Sequence, residues 1–258
     1  MKATAIIPAR YSSSRLPGKP LIEIKGKPLI QYVYERVQSS SVQQVIVATD
    51  DERIVSAVRK FGGEAVLTSP LHRSGTERVA EVAAGIESAI VVNCQGDEPL
   101  IQPEAIDRAI TPFSQDQSIM VTTLIAPIEN GADLYNPHVV KVVVDHDGFA
   151  LYFSRSPIPY PRDLLEEAKD EALKDPELIK QLDKNALRGF WQHIGLYAFR
   201  RAFLLKLTAL PPSRLEKQEK LEQLRIVENG YKIKTVMCST PSIGIDTPED
   251  IERLRSLI

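Results

Sequence analysis

The sequence predicts an α/β fold, with a mostly parallel sheet covered by helices on both faces and an antiparallel excursion. Short apolar runs of strand length alternate with amphipathic segments of helix length through the first half of the chain, a pattern typical of parallel sheets. In the second half, two apolar runs flank Asp147-Gly148, which favours a hairpin. The 258 residues are 43% apolar, enough for the core of one compact domain.

The first half predicts strands and helices in alternation. The predicted strands are TAIIPA, QQVIVATD, EAVLTS, SAIVVNCQGD and SIMVTTLI, and the predicted helices are PLIQYVYERVQ, DERIVSAVRKFG, TERVAEVAAGI and PEAIDRAI. Pro28 and Pro103 suit a first helical turn, and Gly62 suits a helix end. Thr76 is a natural N-cap for the third helix.

The second half predicts a different arrangement. A hairpin is predicted for HVVKVVVDHDGFALYFSR, and strands are predicted for HIGLYAF and YKIKTVMC. The charged residues 162–184 are predicted to form one or two helices that face solvent. SRLEKQEKLEQLRIVENG predicts a single amphipathic helix that ends at Gly230. The last helix begins in TPEDIERLRSL, with Thr247 as N-cap and Pro248 in the first turn.

Composition and motifs exclude several classes of function. The formal net charge of −2 argues against a general nucleic-acid or anionic-membrane partner. Cys94 and Cys238 form no metal or disulfide pattern and suit a reducing compartment. The apolar run at residues 3–9 is too short for a signal peptide or a membrane span, so we expect a cytoplasmic protein. Neither a P-loop nor a G-x-G-x-x-G motif is present, which argues against the common kinases and dehydrogenases.

Three cations gather in the loop after the first predicted strand. Arg10, Arg15 and Lys19 lie there among serines, prolines and a glycine. In an open α/β sheet, ligands bind beyond the carboxyl ends of the strands. Arginine forks and a lysine ammonium suit phosphate oxygens. The loop therefore predicts a polyphosphate site, and the alternative is a solvated surface loop with three unrelated cations.

Two aspartates lie at comparable places. Asp97 follows the apolar run of VVNCQGDEP, and Asp246 directly precedes the last predicted helix. Such aspartates suit Mg²⁺, which takes a few carboxylates together with phosphate oxygens and water. The structural alternatives are that Asp97 caps the turn into Glu98-Pro99 and that Asp246 belongs to the helix start.

Eight blocks of the sequence resemble, in order, the blocks of one known family. IIPARYSSSRLPGKPL resembles the amino-terminal signature of the cytidylyltransferases that activate acidic sugars. Further resemblances cover nearly the whole chain, in VIVATDDERI, HRSGTERVAE, NCQGDEPLI, LYFSRSPIPY, HIGLYAF, LEQLR and GIDTPEDIERL. The chain is most similar to the 3-deoxy-manno-octulosonate branch, the CMP-Kdo synthetases. That resemblance implies a Rossmann-like sheet of the nucleotide-diphospho-sugar transferase type.

The resemblance also implies a reaction and its participants. CMP would pass from CTP to the anomeric hydroxyl of 3-deoxy-D-manno-octulosonate (Kdo) with Mg²⁺, giving CMP-Kdo and pyrophosphate for lipopolysaccharide biosynthesis. Residues 1–125 would bind the nucleotide, and residues 126–240 would bind the sugar and contact the second subunit. Residues 241–258 would form a metal-binding loop that comes back to the site, followed by the C-terminal helix. A homodimer is implied, with the hairpin near Asp147-Gly148 in the contact.

The resemblance assigns site residues to positions of this chain. The implied catalytic residues are Arg10, Arg15, Lys19, Asp97 and Asp246, the two aspartates being metal ligands. The implied CTP contacts are Pro8, Ala9, Arg10, Ser13, Arg15, Lys19, Ser74 and Gln95. The implied sugar contacts are Arg78, Gln95, Arg162, His193, Tyr197, Glu222 and Gln223.

Several alternatives stay open. Glu77 stands where the family commonly has aspartate, and the charged segment at 162–190 is longer than is usual. The length of that segment leaves the exact sugar open, with 8-amino-Kdo as an alternative. A synthetase for sialic or pseudaminic acid is the closest rival, although HIGLYAF and GIDTPED fit the Kdo branch better. A non-catalytic nucleotide-binding regulatory protein and a glycosyltransferase are alternatives of other kinds. For the glycosyltransferase, Asp145-His146-Asp147 formally matches a D-x-D metal motif, but we assign it to the hairpin turn.

Overall fold

The structure is a computed structural model that describes residues 2–12, 16–160, 162, 187–238, 244–245 and 247–258. The chain forms two compact units. The first unit comprises residues 1–122, 195–210 and 241–258, and the second comprises residues 123–194 and 211–240. The predicted α/β class is confirmed, since parallel strands, helices and an antiparallel hairpin are all present.

The elements follow the alternation that the sequence predicts. The strands in the described ranges are β1 (Ala3–Ala9), β2 (Glu23–Ile24), β3 (Lys27–Pro28), β4 (Gln44–Thr49), β5 (Glu64–Leu67), β6 (Ile90–Asn93), β7 (Val121–Pro127), β8 (Lys141–Val144), β9 (Ala150–Ser154), β10 (Trp191–Arg200) and β11 (Lys234–Met237). The α-helices there are α1 (Leu29–Gln38), α2 (Glu52–Lys60), α3 (Gly75–Ala84), α4 (Pro103–Ile110), α5 (Pro112–Gln115), α6 (Gly131–Tyr135), α7 (Arg201–Thr208), α8 (Arg214–Glu219), α9 (Leu224–Glu228) and α10 (Pro248–Leu257).

The sheet of the first unit has a switch in strand order. β1 pairs in parallel with β4 on one side and with β6 on the other, and β4 pairs in parallel with β5. The end of β10 pairs with β6 in antiparallel fashion. The chain therefore builds outward from β1 through β4 to β5 and then returns to the other side of β1. Such a reversal opens a crevice at the carboxyl ends of β1 and β6, where ligands bind in folds of this kind.

Burial explains why these segments are strands. Every residue of β6 is buried, and β1 is buried except at Pro8. Continuous apolar runs of this kind are typical of parallel strands covered on both faces by helices. The predicted helix signals are also present at α4, which starts with Pro103 in its first turn, and at Gly62 beyond α2, which has a φ of +82°.

Three local predictions are wrong. Pro28 lies in β3 and is the N-cap residue of α1, with an extended backbone, and not part of the first turn. The N-cap of α3 is Ser74, whose side chain accepts a hydrogen bond from the backbone N–H of Glu77, while Thr76 lies buried inside the first turn. The helix predicted from Ser213 to Gly230 is divided into α8 and α9. Lys220 ends α8 in the left-handed conformation, with a φ of +56°. The intrinsic backbone preference of lysine does not favour this conformation.

The second unit contains the predicted hairpin. β8 and β9 pair in antiparallel fashion, and the turn is closed by a hydrogen bond of 3.0 Å from the N–H of Gly148 to the carbonyl of Asp145. Gly148 has a φ of +76°, a conformation that glycine adopts without strain. Asp145, His146 and Asp147 therefore lie in the turn, as predicted.

Some predictions concern residues that the structure does not describe. The charged segment predicted as helical at 162–184 lies outside the described residues except for Arg162. Among the residues that are described, no helix has the length and apolar character needed to cross a membrane.

Candidate active site

The carboxyl ends of β1 and β6 approach each other closely. A Cβ atom added to Gly96 would lie 2.7 Å from the carbonyl oxygen of Pro8, and one added to Gly75 would lie 3.2 Å from the Pro8 ring. Non-bonded carbon and oxygen atoms do not approach to 2.7 Å without displacement. Gly96 therefore allows the turn that carries Asp97 to lie against the start of the cationic loop.

This close approach predicts the effect of one methyl group. We expect Gly96→Ala to lower the free energy of unfolding by about 1–3 kcal/mol through overpacking and to reduce turnover, because the Asp97 turn or the end of β1 must move. Thermal unfolding and steady-state kinetics measure the two effects. Gly85→Ala is the matched control, since its Cβ would meet its nearest neighbour, the carbonyl of Val82, at 3.7 Å. Equal stability and activity in the two variants would contradict the prediction.

Lys19, Asp97 and Ile245 converge at this crevice. The Lys19 ammonium donates a hydrogen bond of 2.7 Å to the Asp97 carboxylate and one of 2.6 Å to the carbonyl of Ile245. The backbone N–H of Ile245 donates in turn to the carbonyl of Asp97, at 2.9 Å. The Lys19 side chain is 12% exposed and that of Asp97 34% exposed. The contact therefore joins the loop after β1, the turn after β6 and the C-terminal segment in a place that solvent or a ligand can reach.

The C-terminal segment is held there by packing and by a capped helix. Ile245 is fully buried in a cluster with Ile24, Leu29 and Leu254. Thr247 caps α10 as predicted, in a capping box in which the Asp250 carboxylate accepts from the Thr247 N–H at 2.9 Å. Asp246, the predicted second metal ligand, lies between these two anchored residues in the sequence but outside the described residues.

The cationic loop is described in part. Arg10 is half-buried, and one terminal nitrogen of its guanidinium is buried without a hydrogen-bond partner. An unpaired buried donor costs free energy and favours an anionic ligand. Farther along, the N–H of Gly18 donates to the carbonyl of Tyr11 at 2.8 Å and closes the loop before the short 3₁₀ helix Lys19–Leu21. The predicted CTP contacts Ser13 and Arg15 lie outside the described residues.

The other predicted nucleotide contacts lie near this edge of the sheet. Pro8 is half-buried and Ala9 is buried at the end of β1. Ser74 caps α3, as serine often does at the start of a helix. Gln95 is half-buried, and its amide donates a hydrogen bond of 3.4 Å to the carbonyl of Gly195.

Arg78 is fully buried, whereas Arg10 and Lys19 are half-buried and Arg162 is exposed. Its side chain is 0% exposed, and it donates to the Asp50 carboxylate at 2.7 Å and to the Thr68 hydroxyl. Asp50 and Thr68 follow β4 and β5, so Arg78 links α3 to the carboxyl ends of two neighbouring strands. A ligand would reach this guanidinium only after a rearrangement, and a sugar contact by Arg78 stays a prediction.

Sequence reasoning overlooked Asn93 at the end of β6. The residue is 1% exposed, its amide donates a hydrogen bond of 3.4 Å to the Thr76 hydroxyl, and its Oδ1 atom is buried without a hydrogen-bond partner. Asn93 stands opposite Tyr197 of β10 in the sheet register, and the Tyr197 ring stacks on Phe199. A polar residue within an apolar run is the signal in the sequence that could have identified Asn93.

His193 lies in the second unit on the predicted strand, β10. Its Nε2 atom lies 2.8 Å from the hydroxyl of Thr123, which donates in turn to the carbonyl of Ile194 at 3.3 Å. Its ring meets Phe153 edge to face. Burial of the imidazole lowers the pKa of His193 to about 3, so the ring is neutral at physiological pH. His193 therefore acts as a hydrogen-bonding group and not as a cation.

Glu222 and Gln223 lie in the turn between α8 and α9 and not within a helix as predicted. Gln223 is 7% exposed, and its side-chain nitrogen is buried without a hydrogen-bond partner. Glu222 is half-buried, with its carboxylate 3.8 Å from the Arg225 guanidinium. Arg162, the remaining predicted sugar contact, is exposed, and its backbone N–H donates to the carbonyl of Tyr160.

Comparisons with known proteins identify relatives over nearly the whole chain. A cytidylyltransferase family model matches residues 4–233. The 3-deoxy-manno-octulosonate cytidylyltransferase of Geotalea daltonii is 53% identical over 98% of this chain and 97% of its own length. That of Solibacter usitatus is 44% identical over 99% and 94%.

Solved structures give a consistent result. A CMP:2-keto-3-deoxy-manno-octonic acid synthetase complexed with CTP is 43% identical, with a TM-score of 0.87, and covers 100% of this chain and 98% of its own. A 4-diphosphocytidyl-2C-methyl-D-erythritol synthase from Anaerococcus prevotii is 16% identical, with a TM-score of 0.62 over 99% of this chain and 95% of its own, and shows the shared fold alone.

The chain therefore belongs to the cytidylyltransferase family, a class of nucleotidyltransferase enzymes. The Lys19–Asp97 contact lies after the carboxyl ends of β1 and β6, where ligands bind in open α/β sheets. Within the family, the similarity over nearly the full chain is to the 3-deoxy-manno-octulosonate cytidylyltransferases.

Proposed function

We propose that the chain transfers CMP from CTP to the anomeric hydroxyl of Kdo, giving CMP-Kdo and pyrophosphate for lipopolysaccharide biosynthesis. The observation that carries this proposal is the convergence of Lys19, Asp97 and Ile245 at the strand-order switch of the first unit. The names of the relatives supply the nucleotide and the sugar.

The protein's part in this reaction is to position the substrates and to neutralise charge. The anomeric hydroxyl loses its proton to solvent as its oxygen forms a bond to the α-phosphorus. The bond from that phosphorus to the bridging oxygen of pyrophosphate breaks. The sugar hydroxyl is the nucleophile, so no side chain needs to form a covalent intermediate. Arg10, Arg15 and Lys19 neutralise the triphosphate and the charge that develops on the departing pyrophosphate. Gln95 and the backbone at Pro8 and Ala9 hold the nucleotide.

The donor set fits Mg²⁺, a cofactor that binds few protein carboxylates at once. Within the described residues, no three His, Cys, Asp or Glu side chains are grouped to hold a metal by themselves. Asp97 and Asp246 would each supply a carboxylate, and phosphate oxygens and water would complete the shell. When bound, Mg²⁺ polarises the α-phosphate and stabilises the charge of the leaving group.

We propose that the acidic sugar is held by polar groups of several kinds. Arg162 suits the sugar carboxylate, since an arginine fork matches two carboxylate oxygens. The neutral His193, the amides of Gln95 and Gln223, the Tyr197 phenol and the Glu222 carboxylate suit sugar hydroxyls. The unpaired buried amide nitrogen of Gln223 supports this assignment most directly, because a bound oxygen would satisfy it. For Arg78, its burial favours a structural role.

The proposal extends to assembly and location. We propose a homodimer whose contact includes the hairpin of β8 and β9. We also propose a cytoplasmic location, which suits the two buried cysteines, Cys94 and Cys238, that are not joined by a disulfide. Light scattering coupled to size-exclusion chromatography tests the dimer, and a mass of one 28.8 kDa chain would refute it.

A substrate matrix tests the proposed reaction. Purified protein is incubated with CTP, UTP or ATP and with Kdo, 8-amino-Kdo, sialic acid or pseudaminic acid, with Mg²⁺ or with EDTA, and pyrophosphate is assayed. We expect release only with CTP, Kdo and Mg²⁺ together. Release with sialic acid and none with Kdo would reassign the sugar. Undiminished release in EDTA would remove the metal from the proposal, and no release with any pair would favour a regulatory nucleotide-binding protein.

A further inference from the structure

The break between α8 and α9 contains a residue in an unfavourable backbone conformation. Lys220 has φ and ψ of 56° and 44°, and its N–H donates to the carbonyl of Glu216. The left-handed conformation is costly for residues other than glycine and persists only where neighbouring contacts hold it. Since the sequence of this segment favours one continuous helix, tertiary contacts must impose the break.

A buried ion pair joins the two helices across the break. The Arg225 guanidinium donates to the Glu216 carboxylate, with its Nε atom 2.8 Å from Oε2, and the two side chains are 4% and 13% exposed. Glu216 also completes a capping box with Ser213 at the start of α8. Burial alone would raise the pKa of Glu216, but the hydrogen bonds from Arg225 and Ser213 lower it, so the carboxylate stays charged. A planar guanidinium and a carboxylate fix the geometry between the elements that carry them.

A second set of contacts holds the other end of α8. The Glu219 carboxylate accepts a hydrogen bond of 2.7 Å from the Ser154 hydroxyl and one of 3.1 Å from the N–H of Arg155. The Arg155 guanidinium donates to the Glu219 carbonyl at 2.9 Å. With Glu216 held at the start of α8 and Glu219 at its end, the chain at Lys220 has to turn back for Arg225 to reach Glu216.

Gln223 lies in the turn that this break creates. Its amide nitrogen is buried without a hydrogen-bond partner, and buried polar groups in native proteins are seldom left unpaired. In a continuous helix the direction of the Gln223 side chain would be set by the helical period. In this structure it is set by the break.

We propose that the Glu216–Arg225 ion pair is a positioning device that keeps Lys220 left-handed and thereby directs the Gln223 amide at an oxygen of the acidic sugar. The inference rests on the proposed function, in which Gln223 contacts Kdo. Neither Glu216 nor Arg225 touches the reacting atoms. The pair acts on the binding of one substrate through the backbone at Lys220.

The test combines loss of the ion pair with relief of the backbone strain. We expect Glu216→Gln to raise KM for Kdo about tenfold, a loss matching the strain of one left-handed residue, while KM for CTP changes less than about twofold. Adding Lys220→Gly should restore most of the lost Kdo affinity, because glycine adopts this conformation freely. Adding Lys220→Ala, the matched control, should restore nothing. An unchanged KM for Kdo in Glu216→Gln, or equal effects of glycine and alanine, would overturn the inference.

Hydrogen–deuterium exchange over residues 214–228 separates this inference from the proposed function. Glu216→Gln should speed exchange in the turn, and Lys220→Gly should slow it again in that background. If the wild type does not turn over Kdo, the proposed function fails, and the exchange result still decides whether the ion pair holds the break. If Glu216→Gln does not fold, Glu216→Asp, which keeps the charge but shortens the side chain by one methylene, takes its place with the same expected signs.

Discussion

Asp97→Asn is expected to lose nearly all turnover while keeping the fold. The substitution removes one negative charge and keeps the size of the side chain, so the proposed metal loses a charged ligand. Loss of such electrostatic stabilisation costs about 10²–10³ in kcat. Steady-state pyrophosphate release at saturating CTP and Kdo measures the effect. We expect a loss of similar size in Asp246→Asn, which removes the carboxylate of the proposed second ligand.

Two controls distinguish the loss of a catalytic carboxylate from unfolding and from a general change in charge. In Asp97→Asn the amide oxygen of the introduced asparagine still accepts from Lys19, so the unfolding midpoint should shift by less than about 4 °C. Glu252→Gln removes a carboxylate that is 69% exposed in a surface pair with Arg255, and such pairs contribute little. This variant should keep wild-type turnover. A near-normal rate in Asp97→Asn would remove Asp97 from the metal site, and the same result for Asp246 would remove that residue.

Lys19→Met is expected to reduce kcat/KM for CTP by about 10²–10³, because it removes a preorganised charge from the triphosphate. It also breaks the hydrogen bonds that tie Asp97 and Ile245 to the cationic loop. We therefore expect a loss in both kcat and CTP affinity, measured by steady-state kinetics with CTP as the varied substrate at saturating Kdo.

A lysine on the surface, outside the candidate site, supplies the comparison. Lys27 pairs with Glu35 and its side chain is 44% exposed, so Lys27→Met should change kcat/KM less than about twofold. Lys19→Arg keeps the charge in a larger, planar group and should retain more activity than Lys19→Met. If Lys19→Met and Lys27→Met behaved alike, Lys19 would have no role in the reaction.

Local sequence signals predicted the elements well where the chemistry is local. Pro103 starts α4 and the Thr247 side chain caps α10, because each signal acts through bonds to residues within one turn. The same reasoning failed at α3, where it predicted Thr76 as the N-cap and the structure has Ser74. Both hydroxyls can accept the capping hydrogen bond, and only the backbone path decides which one does. Propensity also missed the break at Lys220, which distant residues impose.

The sequence indicated candidate site residues but not the contacts between them. The cationic loop and the aspartates at strand ends were visible as patterns, and the block resemblance gave their roles. The bond from Lys19 to Asp97 spans 78 residues of sequence and that from Lys19 to Ile245 spans 226. Hydrophobicity and spacing carry no information about such pairs. The enclosure of Arg78 and the neutral state of His193 likewise depend on neighbours from other strands.

By itself, the sequence determined the α/β class, most element positions, the family blocks and the residue types available for phosphate and metal. These depend on periodicity, capping and turn chemistry, which act within a few residues. The tertiary structure alone decided which side chains meet: Gly96 against Pro8, Lys19 between Asp97 and Ile245, and Arg225 on Glu216. The physical reason is that strand order and burial set the distances between residues remote in sequence, and electrostatic contacts depend on those distances.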